Sequence, residues 1–183
     1  MISLSVLSRA LRLKSFSGEA RGATAVEFAL IAPVLILLYL GLAELTMGMM
    51  VSRRVNHLSA AIGDLTAQSQ NLTEANITDI FEIGDSIMQP FDTGDQLDIR
   101  LTSIEKDKNG KAIVLWSRGW SAYAKGAEVT DVDTSDVAIG QGLIITNVNY
   151  RYKSTIGNLL PGVTDFSKNY RHFPRDGAVV TGP

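Results

Sequence analysis

One apolar segment near the N-terminus constrains this chain more than any other feature. Between Arg21 and Arg53 only Glu27 and Glu44 carry charge, and residues 28–43 carry none. An α-helix needs about twenty apolar residues to cross roughly 30 Å of hydrocarbon. The run here is longer, since about thirty helical residues extend about 45 Å. The segment therefore predicts a membrane-spanning helix that also projects beyond the bilayer, with Glu44 near the outer interface.

The residues before this helix form a basic flank. They carry a net charge of +3, from Arg9, Arg12, Lys14 and Arg21 against Glu19. Such a flank stays on the cytoplasmic side of the membrane, and the domain that follows then lies on the other side. Arg53 and Arg54 at the far end oppose this asymmetry, but they are fewer, and long downstream domains translocate largely regardless of charge.

The start of the helix carries two signals, a glycine and a carboxylate. The apolar run is too long for an ordinary cleaved signal peptide, and no small-x-small cleavage site follows it. Gly22 stands before the run instead. Thr24 and Glu27 have the spacing of a capping box, in which each side chain satisfies an orphan backbone N–H. A carboxylate near hydrocarbon is also costly and usually finds a partner, so a capping role and a pairing role for Glu27 both stay open.

The stretch Arg21-Gly22-Ala23-Thr24-Ala25-Val26-Glu27-Phe28 resembles the processing site of type IV prepilin-like proteins. It is most similar to the TadE-like minor pilins (pseudopilins) of the tight-adherence, or Flp pilus, system, and the continuation through Pro33 resembles them too. The resemblance implies that a prepilin peptidase cuts between Gly22 and Ala23. It also implies that Glu27, then the fifth residue, pairs with the new α-amino group on its own subunit or a neighbour. The implied assembly residues are Thr24, Glu27, Phe28 and Pro33.

Three segments follow from this organisation. Residues 1–22 are expected to be a cytoplasmic leader, residues 23–52 a transmembrane and assembly helix, and residues 53–183 a periplasmic or extracellular α+β domain. About 130 residues suffice for one modest domain with its own core.

The helix is expected to continue outside the membrane, from about Ala23 to about Ser69. Apolar residues recur in steps of four and three, which gives one stripe on a helix; they are Val51, Val55, Leu58, Ile62 and Leu65. His57, beside the stripe, is expected at the surface or an interface. A second short helix is predicted over residues 77–88, with Asn76 as its N-cap.

The sequence of the C-terminal half predicts β-strands. Alternation and β-branched residues predict strands over 96–105, 112–120, 143–152 and 164–173, with a short edge strand over 178–181. Asn109-Gly110 predicts a hairpin between the first two. Residues 121–142 are expected to be a loop, and Pro161-Gly162 a turn. The pattern favours an antiparallel sheet with one face covered by the N-terminal helix, an α+β fold similar to the pilin-like architecture.

Catalytic chemistry has no sequence signature here. The chain has no cysteine, its two histidines are far apart, and it lacks zinc spacings, phosphate-binding glycine loops and nucleophile elbows. Asp131 begins a stretch similar to the start of a calcium loop, but Asp136 and Gly142 stand where glycine and glutamate are needed. This stretch predicts a solvated acidic loop. No catalytic, cofactor or metal residue is predicted, and the net charge of −2 argues against a nucleic-acid partner.

The leading hypothesis is a non-enzymatic minor pilin or pseudopilin of the inner membrane. Its expected partners are the prepilin peptidase, other pilin and pseudopilin subunits, the inner-membrane assembly platform and the lipid bilayer. The alternative hypothesis is an uncleaved, membrane-anchored binding or scaffold domain of the cell envelope. An exported enzyme with a signal anchor is a third, disfavoured by the missing catalytic groups.

Overall fold

The computed structural model describes residues 20–154, 164–175 and 178–183. The chain divides into two compact units, Met1–Glu44 and Leu45–Pro183. Most of the predicted leader and the predicted turn at Pro161-Gly162 lie outside the described residues.

The first element is a helix of 48 residues, α1 (Ala20–Ala67). Its predicted stripe is confirmed at four positions that are fully buried in the second unit, namely Val51, Val55, Leu58 and Ile62. The fifth, Leu65, is wrong, because its side chain is 36% exposed while Thr66 is fully buried. At 3.6 residues per turn a regular step of three or four drifts around the helix, and the buried positions of α1 beyond Ile62 are Gly63, Thr66 and Ala67.

The second helix, α2 (Glu74–Met88), begins earlier than predicted. The prediction of Asn76 as N-cap is wrong, because Thr73 holds that position and Asn76 lies inside the helix. The Thr73 hydroxyl accepts a hydrogen bond from the Asn76 N–H at 3.2 Å. The Asn76 side-chain oxygen accepts one from the Thr73 N–H at 3.0 Å. The two residues thus form a reciprocal capping box.

Four antiparallel strands form one sheet in the order β2-β1-β3-β4. They are β1 (Leu97–Lys106), β2 (Ala112–Gly119), β3 (Gly142–Arg151) and β4 (Asp165–His172). All four long predicted strands are confirmed within a few residues. The β1–β2 hairpin is confirmed as well: Gly110 has φ +79°, and its N–H donates to the Asp107 carbonyl at 3.1 Å.

The predicted edge strand over 178–181 is wrong. Only Thr181 makes a bridge, with Asn71, because the chain here enters the core instead of lengthening the sheet. Val180 is fully buried. Its carbonyl accepts hydrogen bonds from the Ser103 hydroxyl and the Trp116 indole N–H, both at 2.9 Å.

The sheet separates two apolar clusters. The larger one joins the two helices to one face of the sheet, and its members include Leu58, Ile62, Ile80, Ile99, Ile144 and Tyr150. The fold is therefore α+β, with the N-terminal helix packed on an antiparallel sheet, as predicted. The smaller cluster lies on the other face, where Val129 and Val137 pack against Leu143 and Ile145. Residues 121–142, predicted as a loop, thus cover the second face.

A β-bulge in β2 places two residues that are two positions apart on opposite faces of the sheet. Ser103 pairs with Trp116 and Ile104 with Val114, which leaves Leu115 as the extra residue. A bulge shifts the alternation of side chains by one residue. Trp116 therefore joins the helix-side cluster, whereas Val114 joins the other.

Candidate functional site

The residues predicted for processing and assembly lie together at the start of α1. Gly22, Ala23, Thr24, Glu27 and Phe28 are all exposed. Apart from the two chain neighbours and the backbone of the helix itself, no heavy atom of the described residues lies within 4 Å of the position that a Cβ at Gly22 would occupy, and the Phe28 side chain is 70% exposed. Among the described residues of the first unit, these side chains are therefore accessible.

The helix begins at Ala20, so the Gly22–Ala23 peptide bond lies inside it. Thr24 is therefore not the N-cap of the intact chain, and the capping box predicted for Thr24 and Glu27 is wrong for this state. The helix instead brings Ala23 and Glu27 together, because residues four apart on a helix have Cβ atoms about 5–6 Å apart.

Pro33 lies inside α1. Proline has no N–H, so the helix lacks the hydrogen bond that residue 33 would donate to the carbonyl of Ala29. Membrane helices tolerate this loss when neighbouring groups compensate. The kink expected at Pro33 stays a prediction.

The residues after Glu27 form an apolar surface on all sides of the helix. From Val26 to Leu42, eleven large apolar side chains are between 55% and 71% exposed. Within the described residues, α1 is the one helix long and apolar enough to cross a membrane, with a mean hydropathy of 2.3 in its most apolar window. A helix that is apolar all round suits a non-aqueous environment. The segment is compatible with membrane anchoring.

The polar residues near the outer end of the apolar run lie in different environments. Glu44, expected near the outer interface, is buried, with only 3% of its surface exposed. The Arg54 guanidinium donates to the Ile87 carbonyl of α2 at 2.8 Å, while Arg53 and His57 are exposed. Composition could not show the contact of Arg54, because it depends on how α2 packs against the second half of α1.

The acidic stretch that begins at Asp131 is an exposed loop at most of its positions, as predicted, and cations of the chain itself contact it. The Lys106 ammonium donates to the carbonyls of Thr134 at 2.9 Å and Val137 at 3.0 Å. The Arg171 guanidinium pairs with the Asp136 carboxylate at 2.9 Å. Side-chain cations of the chain itself thus occupy these acceptors. Among the described residues, no group of three or more His, Asp or Glu side chains could hold a metal ion.

The two histidines lie in different environments. His57 is exposed on α1, and His172, at the end of β4, packs its ring against Gly63 of α1. A Cβ at Gly63 would lie 2.5 Å from Nδ1 of His172. Burial lowers the pKa of His172 below 6.5. The positions of the two residues indicate packing and not a shared site.

One comparison with known proteins gives a match, and the matched residues lie in α1. The family model described as TadE-like protein matches residues 22–63. The match confirms the resemblance predicted from the segment that starts at Gly22, and it ends within α1, before the sheet begins. No curated protein and no solved structure matches the chain.

Proposed function

We propose that this chain is a non-enzymatic minor pilin or pseudopilin that contributes to assembly of a tight-adherence (Flp) type IV pilus. A prepilin peptidase removes the leader after Gly22, and the mature subunit packs through its N-terminal helix. One observation carries the proposal. Within the segment that matches the TadE-like family, Gly22 and Glu27 stand five residues apart at the exposed start of an apolar helix.

The proposed location is the bacterial inner membrane. The leader carries a net charge of +3, which favours a cytoplasmic N-terminus and a periplasmic C-terminal domain. In this orientation Gly22 faces the cytoplasm, where the peptidase acts. The remaining proposed partners are other pilin and pseudopilin subunits, the assembly platform and the lipid bilayer.

The position of the Gly22–Ala23 bond has a consequence for processing. A protease binds its substrate in an extended form, so the helix must open at this bond before hydrolysis. Glycine inside a helix is less favourable than alanine by about 1 kcal/mol, and no side chain of the described residues lies within 4 Å of the position that a Cβ at Gly22 would occupy. Gly22 therefore marks a weak point at which the helix opens at low cost.

Hydrolysis also changes the surroundings of Glu27. It frees the α-amino group of Ala23, four residues away on the same helical face. Without a partner, an acidic side chain at the centre of a membrane helix costs about 2.5–3.5 kcal/mol on insertion scales. As a subunit packs among neighbouring apolar helices, pairing of Glu27 with an amine, its own or a neighbour's, removes much of this cost.

Intact mass or N-terminal sequencing of the membrane-extracted protein tests the processing step. In cells with an active prepilin peptidase, we expect a chain that begins at Ala23. Gly22→Leu should block processing, because its side chain obstructs the approach of the protease backbone and strengthens the helix. Gly18→Leu, a matched change within the leader, should be processed normally. An intact leader on the unsubstituted chain would refute the proposal and favour the uncleaved, membrane-anchored binding or scaffold domain.

A second experiment separates cleavage from assembly. Glu27→Ala should leave cleavage largely intact and reduce the amount of pilus, measured by shearing and immunoblotting. Glu27→Gln keeps the size of the side chain and removes its charge, so it should behave like Glu27→Ala if pairing with an amine matters. Normal piliation by both variants would contradict the pairing role.

A further inference from the structure

Three buried polar atoms lie where α1 packs on the last two strands of the sheet. They are the hydroxyl oxygens of Ser59 and Thr146 and the Nδ1 atom of His172, and none has a hydrogen-bond partner among the described residues. Ser59 stands four residues before Gly63, so the two share one face of α1. Buried polar groups are paired in the great majority of cases, and each exception needs an explanation.

The His172 ring lies directly against the backbone of α1. A Cβ at Gly63 would be 2.5 Å from Nδ1 and 2.6 Å from Cε1 of His172, and 2.7 Å from the Thr146 hydroxyl oxygen. Only glycine admits the ring at this position. Because Nδ1 is buried in this contact, water reaches it only if α1 and the end of β4 separate.

This contact suits a neutral imidazole and not a charged one. Protonation gives both ring nitrogens a hydrogen and the ring a positive charge, and a buried charge is costly unless it is paired. Burial has the largest effect and lowers the pKa of His172, while Asp64 on α1 raises it and Arg175 lowers it. Asp64 and Arg175 also pair with each other. The neighbours from the sheet, Thr146 of β3 and Tyr170 of β4, are not carboxylates.

The end of β4 has few other attachments. β4 is an edge strand that pairs with β3, and none of its residues is fully buried. Its end contacts α1 through His172 at Gly63, through the Arg175–Asp64 pair, and through a hydrogen bond of 2.9 Å from the Arg175 N–H to the Ala67 carbonyl. Exposed ion pairs contribute little to stability. Elements with few buried contacts open before the rest of a protein.

We propose that the end of β4 is an acid-sensitive latch on α1. The latch is closed while the His172 ring is neutral. When the ring takes up a proton, the end of β4 separates from α1, water reaches Nδ1, and the outer edge of β3 is uncovered. The two apolar clusters do not include His172, so the rest of the sheet stays folded. The latch needs neither processing nor assembly, and it goes beyond the proposed function.

The pH dependence of the opening follows from proton linkage. In the open state His172 titrates near its ordinary pKa of about 6.5, whereas in the closed state its pKa is lower. The equilibrium constant for opening should therefore be constant above about pH 6.5. As the pH falls further, it should rise by up to about tenfold per pH unit and level off at the pKa of the closed state.

Hydrogen–deuterium exchange of the full-length protein in detergent, followed by mass spectrometry between pH 4.5 and 8, measures this opening. After correction for the intrinsic pH dependence of exchange, the protection of Asp165–His172 should fall about threefold or more below pH 6.5. Protection of β1 should stay constant. His172→Gln should abolish the pH dependence, whereas His57→Gln, a matched change at the exposed histidine, should retain it. Equal loss of protection in β1 and β4, or a pH dependence that persists in His172→Gln, would overturn the proposal.

Two further variants separate the charge on His172 from a general loosening of the strand. Asp64→Asn and Arg175→Gln break the same ion pair, so both loosen the end of β4. Their effects on the pKa of His172 are opposite, because Asp64 raises it and Arg175 lowers it. Asp64→Asn should therefore lower the pH at which the opening levels off, and Arg175→Gln should raise it. Shifts of both variants in one direction, or no shift in either, would contradict the latch.

Discussion

The carbonyl of Val180 offers a quantitative test of how the C-terminal tail is held. This carbonyl belongs to a fully buried residue and accepts two hydrogen bonds, from Ser103 Oγ and from Trp116 Nε1, both at 2.9 Å. Ser103→Ala removes the first donor and Trp116→Phe removes the second. Each single variant leaves the carbonyl with one partner, while the double variant leaves it with none.

The expected energies follow from this difference. Loss of one hydrogen bond in Ser103→Ala should cost about 1 kcal/mol. Trp116→Phe loses a hydrogen bond and part of a buried ring system, for about 2 kcal/mol in total. A buried acceptor left without a donor adds roughly 1–3 kcal/mol. The double variant should therefore lose about 4–6 kcal/mol of unfolding free energy, more than the two single variants together.

Urea titration of the full-length protein in detergent, followed by far-UV circular dichroism, measures these changes. Ser103→Ala combined with Lys125→Ala, an exposed position, serves as the control and should be additive within about 0.3–0.5 kcal/mol. If the Ser103/Trp116 double variant were equally additive, the shared-acceptor argument would be refuted, because water or a shifted tail would then satisfy the Val180 carbonyl.

Three further predictions use the same titration. The hydroxyls of Thr102 and Ser117 are buried and 2.8 Å apart. Ser117→Ala leaves the Thr102 hydroxyl without this partner and should lower the free energy of unfolding by about 1–3 kcal/mol. Adding Thr102→Val should lower it little further, because no unpaired hydroxyl remains. Thr73→Ala should cost about 1 kcal/mol through loss of the N-cap, whereas Thr78→Ala, inside α2 and exposed, should cost far less. Burial lowers the pKa of His172 in the folded protein below 6.5. As the pH falls, this histidine is therefore protonated in the unfolded chain first, which favours unfolding. The free energy of unfolding should decrease as the pH falls from about 6.5 to the pKa of the folded protein.

Each of these has a result that contradicts it. Strictly additive costs at Thr102 and Ser117 would show that the two hydroxyls do not depend on each other. Equal effects of Thr73→Ala and Thr78→Ala would remove the capping argument. His172→Gln should remove the loss of stability that begins near pH 6.5 as the pH falls; a profile unchanged by this substitution would place the responsible group elsewhere.

Local patterns were sufficient wherever the cause is local. The uncharged run 28–43 predicts an apolar helix because length and hydropathy alone decide that property. Asn109-Gly110 predicts the hairpin because the positive φ of Gly110 is a property of that residue type. The steps from Val51 to Ile62 predict the buried side of α1 because the period of the helix is fixed.

The same logic explains the errors. The spacing of Thr24 and Glu27 predicts a capping box at a helix start, but Thr24 lies inside α1, because this local signature does not say how far a helix extends backwards. Thr73 was overlooked as a cap because its partner is Asn76, and the usual capping-box signature has glutamate or glutamine there.

By itself, the sequence of this protein determined the long apolar helix, the glycine and glutamate at its start, and the number of long strands, since each depends on neighbours along the chain. Only the tertiary structure decided the order β2-β1-β3-β4, the bulge at Leu115 and the burial of Val180. These depend on contacts between residues far apart in the chain, such as Ser103 with Val180, and on whether a donor has an acceptor within reach. Periodicity carries no information about such pairs, because the free energy that selects them arises when the core closes.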